Sequence, residues 1–467
     1  MSGALEPFVP TPSDPWDARK AAHLLRRAGF GPLPDEVTRA VAAGFDGAVD
    51  ALFAFPAEPA APPAFEDVRA AEQQLDSTLD SLRAAHEPIN LKTHPELRDM
   101  YQQVGQQHGR ALVAVAAWWL DRMASGPAPL QEKLVLFWHG HFTSAFADVH
   151  DAIAMFNQNQ LFRRHAAGNF QHLLDGVARD PAMLLYLNND ENRKGHPNEN
   201  WARELMELFT MGIGHYTEPD VKESARAWTG WSLQEFRPGD GRRTFAFRPL
   251  IHDDGPKTFL GQTGRWDGGD IMRIILAQDA TPRFLAGKLA AYFVSPAPQV
   301  PLVDAMAGML RANGYELAPV LQAVFRSRAF YQPDVALTQV KGPVEFAVGA
   351  VRHLGMTAPD WVRVYQAAGA MGQRLFFPPT VAGWHAGTSW MNAGTVFARA
   401  DLAAALLSGR LGAVDDGAFP TLDAVAARLL ARPLPPQRRA TLAQATGGRA
   451  SKEAVHLVMT LPEYQVA

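Results

Sequence analysis

Apolar residues recur along this chain mostly at intervals of three and four rather than two, a period that predicts a protein built mainly of α-helices. The clearest stripe begins at Trp201, where Trp201, Leu205, Leu208 and Phe209 fall at i, i+4, i+7 and i+8 and line one helix face. Earlier in the chain, two short helices are expected between Asp17 and Phe53. The turn Gly29-Phe30-Gly31-Pro32 splits them, and the second opens at Pro34-Asp35-Glu36, as helix starts prefer. The run ALVAVAAWWLDRMASG reads as a buried helix closed by Gly126. PLQEKLVLFWHGHF follows as a second helix expected to stop at Gly140. Asp151 to Ala166, Asn169 to Ala178 and Pro181 to Leu187 predict three more, ahead of the polar loop Asn188-Asn189-Asp190-Glu191-Asn192.

Three stretches break this pattern. Pro56 to Glu66 is an Ala/Pro linker, and Val68 to His108 is polar enough to be an exposed helical arm broken at Pro88. RRTFAFRPLIHDDGPKTFLGQTGRW alternates and carries glycine turns, which predicts a β-hairpin or extended excursion. Helices resume from Gly269, and no repeat of roughly 20 to 50 residues is present. The expected fold is therefore mainly α, a multi-helix globular protein with a small β-hairpin or extended excursion. Its parts are an N-terminal helical segment (1–56), a linker and arm (57–109), a motif-bearing core (110–235), the excursion (236–268) and a C-terminal helical region (269–467), read as one continuous domain.

Composition narrows the function classes. At 467 residues, 47% hydrophobic and with 11 tryptophans, the chain has ample apolar surface for a large core. A formal charge of −4 gives no electrostatic footprint for nucleic acid. With no cysteine, disulfides, thiolate metal sites and thiol nucleophiles drop out. No stretch approaches ~18 uninterrupted apolar residues, so no transmembrane helix is expected. The N-terminus lacks a basic segment followed by an apolar one, and Arg26-Arg27 is followed by AGFGPLPDEV, so no signal peptide is read. The expected compartment is the cytoplasm, or the periplasm by co-export with a partner.

Five runs carry a family resemblance: RRAGFG, PLQEKLVLFWHGHFTS, DPAMLLYLNNDENRKGHPNENWARELMELFTMGIGHYTEPDVKESARAWTGW, HDDGPKTFLGQTG and MGQRLFFPPTVAGW. Together they resemble the bacterial domain-of-unknown-function 1800 family over nearly the whole chain. The resemblance implies no defined activity. It does imply an envelope or periplasmic role, and a sulfatase-like companion protein as partner.

The residues themselves carry the chemistry. Eight of the 15 histidines lie between His139 and His252, where carboxylates also concentrate. His139 and His141 at a helix end, with His150, Glu204 and Glu207, form a ligand set suited to Zn²⁺, Fe²⁺ or Mn²⁺, Asp148, Asp151 and His215 being near in sequence. The bland alternative is two histidines capping a helix end. Glu204 sits at the edge of the apolar stripe, so it is either paired or holding something; Arg203 and Arg226 are the arginines that would pair such carboxylates merely to pin helices together. The loop NNDENRKGHPNEN suits Ca²⁺ less well, because no bidentate glutamate falls at calcium-loop spacing. His252, Asp253 and Lys257 make a candidate base with an electrostatic helper, or a solvated β-turn. Asn198, Glu199, Trp384 and Trp390 are candidate cleft walls. The chain has no phosphate-binding loop, no dinucleotide fingerprint and no G-x-S-x-G elbow, so a nucleotide cofactor and the usual serine hydrolase are not expected. Two functions stand at this point. One is a metal-dependent enzyme, hydrolytic or oxidative, with catalytic Glu204, Glu207, Arg203, His252, Asp253 and Lys257 in a helical cleft. The other is a non-catalytic envelope binding or assembly partner of the sulfatase-like protein.

Overall fold

The computed structural model describes residues 3–56, 61, 63–234 and 243–467. Residues 57–60 and 62 of the Ala/Pro linker and 236–242 of the excursion lie outside the described residues. Helices dominate. They run α1 (Ala18–Ala28), α2 (Pro34–Ala42), α3 (Gly44–Leu52), α4 (Glu66–Ala84), α5 (Glu96–Ser125), α6 (Pro129–His141), α7 (Phe146–Val149), α8 (Ala152–Arg164), α9 (Phe170–Ala178), α10 (Pro181–Tyr186), α11 (Asn200–Glu204) and α12 (Glu218–Ala227). After the excursion come α13 (Gly268–Ala277), α14 (Ala280–Phe293), α15 (Val300–Ala312), α16 (Leu317–Arg326), α17 (Pro343–His353), α18 (Trp361–Ala370), α19 (Ala393–Leu407), α20 (Leu422–Leu430), α21 (Pro436–Thr446), α22 (Lys452–Thr460) and α23 (Pro462–Gln465).

The excursion holds two small antiparallel sheets. Strand β1 (Trp231–Leu233) pairs with β2 (Phe245–Phe247) in the register Trp231 to Phe247, and β3 (Lys257–Phe259) pairs with β4 (Gln262–Gly264) in the register Lys257 to Gly264.

Local chemistry sets the helix starts. Asp151 accepts from the backbone N–H groups of Ile153 and Ala154, Asn169 from Gln171 and His172, and Asp180 from Met183, each satisfying donors that a first turn leaves free. Thr217 and Asp220 close a capping box on α12.

One contiguous apolar core runs from Leu5 to Tyr464. The α4–α5 hairpin, broken around Pro88, carries a second, separate cluster of Leu75, Leu79 and Leu97, flanked by Leu82, Met100 and Val104. α5 is unbroken from Glu96 to Ser125, so arm and buried helix are one rod whose C-terminal half joins the main core. His108 docks that rod on α8. Its Nδ1 accepts from the Ala152 N–H at 3.1 Å, which leaves Nε2–H to donate to Glu72 at 3.1 Å.

A buried polar brace fastens α5, α6 and α8. Glu132 receives Arg163 Nε and Nη2 at 2.9 and 2.7 Å, Arg122 Nε at 3.0 Å and the Trp119 indole N–H at 3.0 Å. A buried carboxylate is tolerated there because each oxygen meets cationic donors.

Candidate active site

Beyond Glu204 the helix does not continue as α. The backbone widens into a π-helical turn over Leu205–Thr210, and the N–H groups of Met211 and Gly212 both reach the Met206 carbonyl, at 3.0 and 2.9 Å. Single π turns of this kind are frequent at functional sites. Packing holds the distortion: Trp201, Leu205, Met206 and Phe209 are buried, and the Trp201 ring meets Trp228 and Phe209 at 5.5 and 6.0 Å. Leu208, the fourth residue of the apolar stripe, is partly buried.

The extra residue in the turn redistributes the acidic side chains. Glu199 and Arg203 still pair at 3.2 Å, and Arg203 makes two further bonds to Glu218 at 2.7 and 2.8 Å, pinning α11 to the start of α12. Glu207 leaves that line and accepts from the Tyr216 hydroxyl at 2.8 Å. Glu204 has no hydrogen-bond or ion-pair partner among the described residues. Burial, then the charge of Glu207, holds its carboxyl above the ordinary value against the pull of Arg203.

Tyr186, at the end of α10, completes the group. Burial and the charges of Asp148 and Glu204 push its phenol up to about 12, while a hydrogen bond with Thr143 works the other way. Burial and Glu207 push Tyr216 up to about 12 as well. Both phenols therefore stay protonated at neutral pH and serve as donors. The chemistry available is a half-buried carboxyl held above its ordinary value, beside a second carboxylate and two protonated phenols.

The histidine pair is placed otherwise than the sequence reading expected. α6 continues through Gly140 to His141, so residues two apart point to different sides of the helix. His139 Nε2 accepts from the Phe376 N–H at 3.1 Å among the rings of Trp119, Phe376 and Trp384. His141 Nε2–H donates to the Phe209 carbonyl at 3.0 Å, satisfying an acceptor of the π turn. Burial pulls both imidazoles down to about 3, so both are neutral. They do not converge on one point. His150 is an exposed residue in the left-handed conformation that closes α7, and Asp151 spends one oxygen on the α8 cap. Among the described residues no three His, Asp or Glu side chains are grouped as a metal site requires.

The excursion residues are occupied structurally. Asp253 takes Arg226 Nε and Nη2 at 2.7 and 3.2 Å and the Gly255 N–H at 3.0 Å; Arg226 in first place holds its carboxyl down to about 2. Lys257 is buried and gives its ammonium to the carbonyls of Asp253 and Gly255 at 2.5 and 3.0 Å. His252 Nδ1–H donates to the Thr229 carbonyl at 2.7 Å.

The polar loop is turn chemistry. Asn192 is fully buried, donates to Asn189 Oδ1 at 3.1 Å and the Ala225 carbonyl at 3.0 Å, and accepts from the Asn198 N–H at 3.0 Å. Asn198 and Glu199 border an open depression of about 450 Å³ shared with Glu191, Arg193 and His196. Trp384 is half-buried with its ring tilted against His139 at 5.2 Å, and Trp390, at 8% exposure, is core. The loop carrying Trp384 lies against the end of α6 because Gly383, at φ +85°, has no side chain: a Cβ there would fall 2.5 Å from the Gly140 carbonyl oxygen.

The structure thus brings Glu204, Glu207 and Asp148 together with Tyr186 and Tyr216, two residues the sequence reading did not single out. Tyr216 follows the glycine-rich turn of MGIGHY, a signal that could have found it; Tyr186 sits in the apolar run AMLLY and carried none. A family model described as a protein of unknown function, DUF1800, matches residues 23–466. No curated protein and no solved structure matches the chain.

Proposed function

We propose, from the premise that this chain belongs to the DUF1800 family, that it is an enzyme of hydrolytic type whose acid–base group is Glu204. One observation carries the reading. Glu204 stands half-buried and without a hydrogen-bond or ion-pair partner among the described residues at a π turn, beside Glu207 and two phenols, whereas Asp76 of the α4–α5 hairpin, also raised by burial, has only other carboxylates and Arg83 around it. Structural carboxylates are normally paired; a raised, unpaired one beside donors is the arrangement proton transfer needs.

A divalent metal would find two side-chain ligands in this group, one short of a protein-held site, and would need oxygens of the substrate to complete it. Glu204 and Glu207 would be its ligands, and an all-oxygen donor set of this kind suits Mn²⁺ better than Zn²⁺ or Fe²⁺, with His139 and His141 outside it. Such an ion would supply Lewis acidity to a bound carbonyl or phosphoryl oxygen. Arg203 serves as the positioning residue that fixes α11 against α12.

The test is a screen of chromogenic carboxylic, phosphate, sulfate and glycosidic esters with wild-type protein and Glu204→Gln, with and without added Mn²⁺. Loss of about 10² to 10⁴ in rate in the variant is expected for a proton-transfer residue. Equal turnover by the two proteins would remove Glu204 from the chemistry.

A second reading rests on the α4–α5 hairpin. Its separate apolar cluster and the exposed Ile89, Leu91 and Tyr101 near its tip suit a docking arm, in line with an envelope role beside a sulfatase-like companion. Co-purification with that companion at micromolar concentration, lost when the 85–95 tip is shortened, is its expected result; no association would end it.

A further inference from the structure

A second polar group lies in the interior, on other elements than Glu204. Arg26 and Arg27 of α1, Lys133 of α6, Lys341 before α17 and Arg399 of α19 are all buried, and Glu345 of α17 is the carboxylate that Arg27, Lys133, Lys341 and Arg399 share. Four cations thus share one anion, and Arg26 adds a further positive charge beside Lys341. Glu345 is already committed, one oxygen to Lys133 and the other to the Gly342 N–H at 2.8 Å.

The donors are in excess as well as the charge. Arg27 is 1% exposed; its Nη2 donates to the Val335 carbonyl at 2.6 Å and to Thr338, but its Nε and Nη1 have no acceptor among the described residues. Arg399 is 2% exposed; it donates to the Lys341 carbonyl at 2.7 Å and to Gln465 at 3.2 Å, and its Nε has no acceptor among the described residues. Lys341 reaches the Tyr464 carbonyl at 2.6 Å, and Arg26 the Leu430 carbonyl at 2.8 Å. Stacking on Tyr464 and Phe346 offsets part of the charge on Lys341 and Arg399.

Buried charge without counter-charge costs several kcal/mol per ion, and water supplies acceptors but no charge. Deprotonating Lys341 would not settle the balance, because Arg26, Arg27 and Arg399 remain cationic at neutral pH. Solvent reaches the group at Glu345, whose side chain is 17% exposed.

We infer that this cationic cluster holds a small tetrahedral oxyanion, of the phosphate or sulfate class, between α1, the Lys341 segment and α19. An ion with several acceptor oxygens offers acceptors of the kind the open N–H groups of Arg27 and Arg399 lack and supplies the missing negative charge. The inference is independent of the role given to Glu204.

The experiment uses the full chain. Protein exchanged into an oxyanion-free buffer is denatured, and the released anions are identified by ion chromatography, which separates phosphate, sulfate and chloride. In parallel, thermal midpoints are recorded against added inorganic phosphate and against sodium chloride at equal ionic strength. A stoichiometric oxyanion released from wild type, or a midpoint raised by phosphate beyond the chloride control, is the expected result. Arg27→Met is expected to bind phosphate about tenfold or more weakly, as loss of a charge-assisted bond requires. If circular dichroism shows that this variant does not fold, Lys341→Met is read in its place. No released oxyanion together with identical phosphate and chloride responses in wild type overturns the inference, whatever the variants do.

Discussion

Acid should unfold this protein well before its carboxylates are fully titrated. Burial pulls His23, His139 and His141 down to about 3, and burial, with Lys341 and Arg352 next, pulls His353 well below the ordinary value. In the unfolded chain each imidazole titrates near 6.5. Below that pH the unfolded state takes up protons that the native state refuses, so stability is present above 6.5 and is lost as pH falls toward the folded values. Each group costs about 1.4 kcal/mol per pH unit; four groups from pH 6.5 to 5 cost about 8 kcal/mol. Asp180 acts in the opposite sense. Burial raises it to about 7, so the native state binds its proton first and recovers about 2 kcal/mol over the same interval. The net loss, about 6 kcal/mol, is comparable with the whole stability of an ordinary domain. Thermal midpoints and urea titrations followed by tryptophan fluorescence from pH 7.5 to 4.5, at constant ionic strength, should show a steep fall below pH 6.5 and unfolding near about pH 5. A midpoint that stays level or rises between pH 7 and 5 would refute the neutral, buried state of these histidines.

Other perturbations follow from the same geometry. Glu132→Gln leaves Arg163 and Arg122 facing each other without a carboxylate and should cost about 3 to 5 kcal/mol, read as a lower urea midpoint. Asn192→Ala removes three side-chain hydrogen bonds from a fully buried turn and should cost about 2 to 3 kcal/mol, with faster amide exchange confined to residues 189–198. Gly383→Ala forces a Cβ against the Gly140 carbonyl in a left-handed residue; a cost of about 2 kcal/mol and a shift in Trp384 emission are expected.

The helical fold was legible because tertiary packing and local chemistry agree. Asp151, Asn169 and Asp180 cap the helices they introduce, and Gly126 closes α5. Gly140 misled. A glycine inside a helix costs only about 1 kcal/mol, and the buried rings of Trp138 and Phe142 on either side outweigh that, so α6 runs on and separates His139 from His141. The edge position of Glu204 was readable from the apolar stripe. Its lack of a partner was not, because a regular helix would align Glu199, Arg203 and Glu207, whereas the π turn takes Glu207 to Tyr216. Nor does a helical period reveal that Lys257 and Asp253 are occupied by backbone groups and Arg226, since those partners are set by the excursion's turns. The cationic interior was invisible for a like reason: Arg26, Arg27, Lys133, Lys341 and Arg399 are spread over some 370 positions and meet only in the folded chain.

The account turns on the unpaired state of Glu204. Its titration, followed by carboxyl carbon NMR and assigned by the signal missing in Glu204→Gln, measures that state without a substrate. A midpoint above the ordinary 4.5 is predicted; a midpoint at or below it would make Glu204 a solvated or paired carboxylate and contradict its acid–base role.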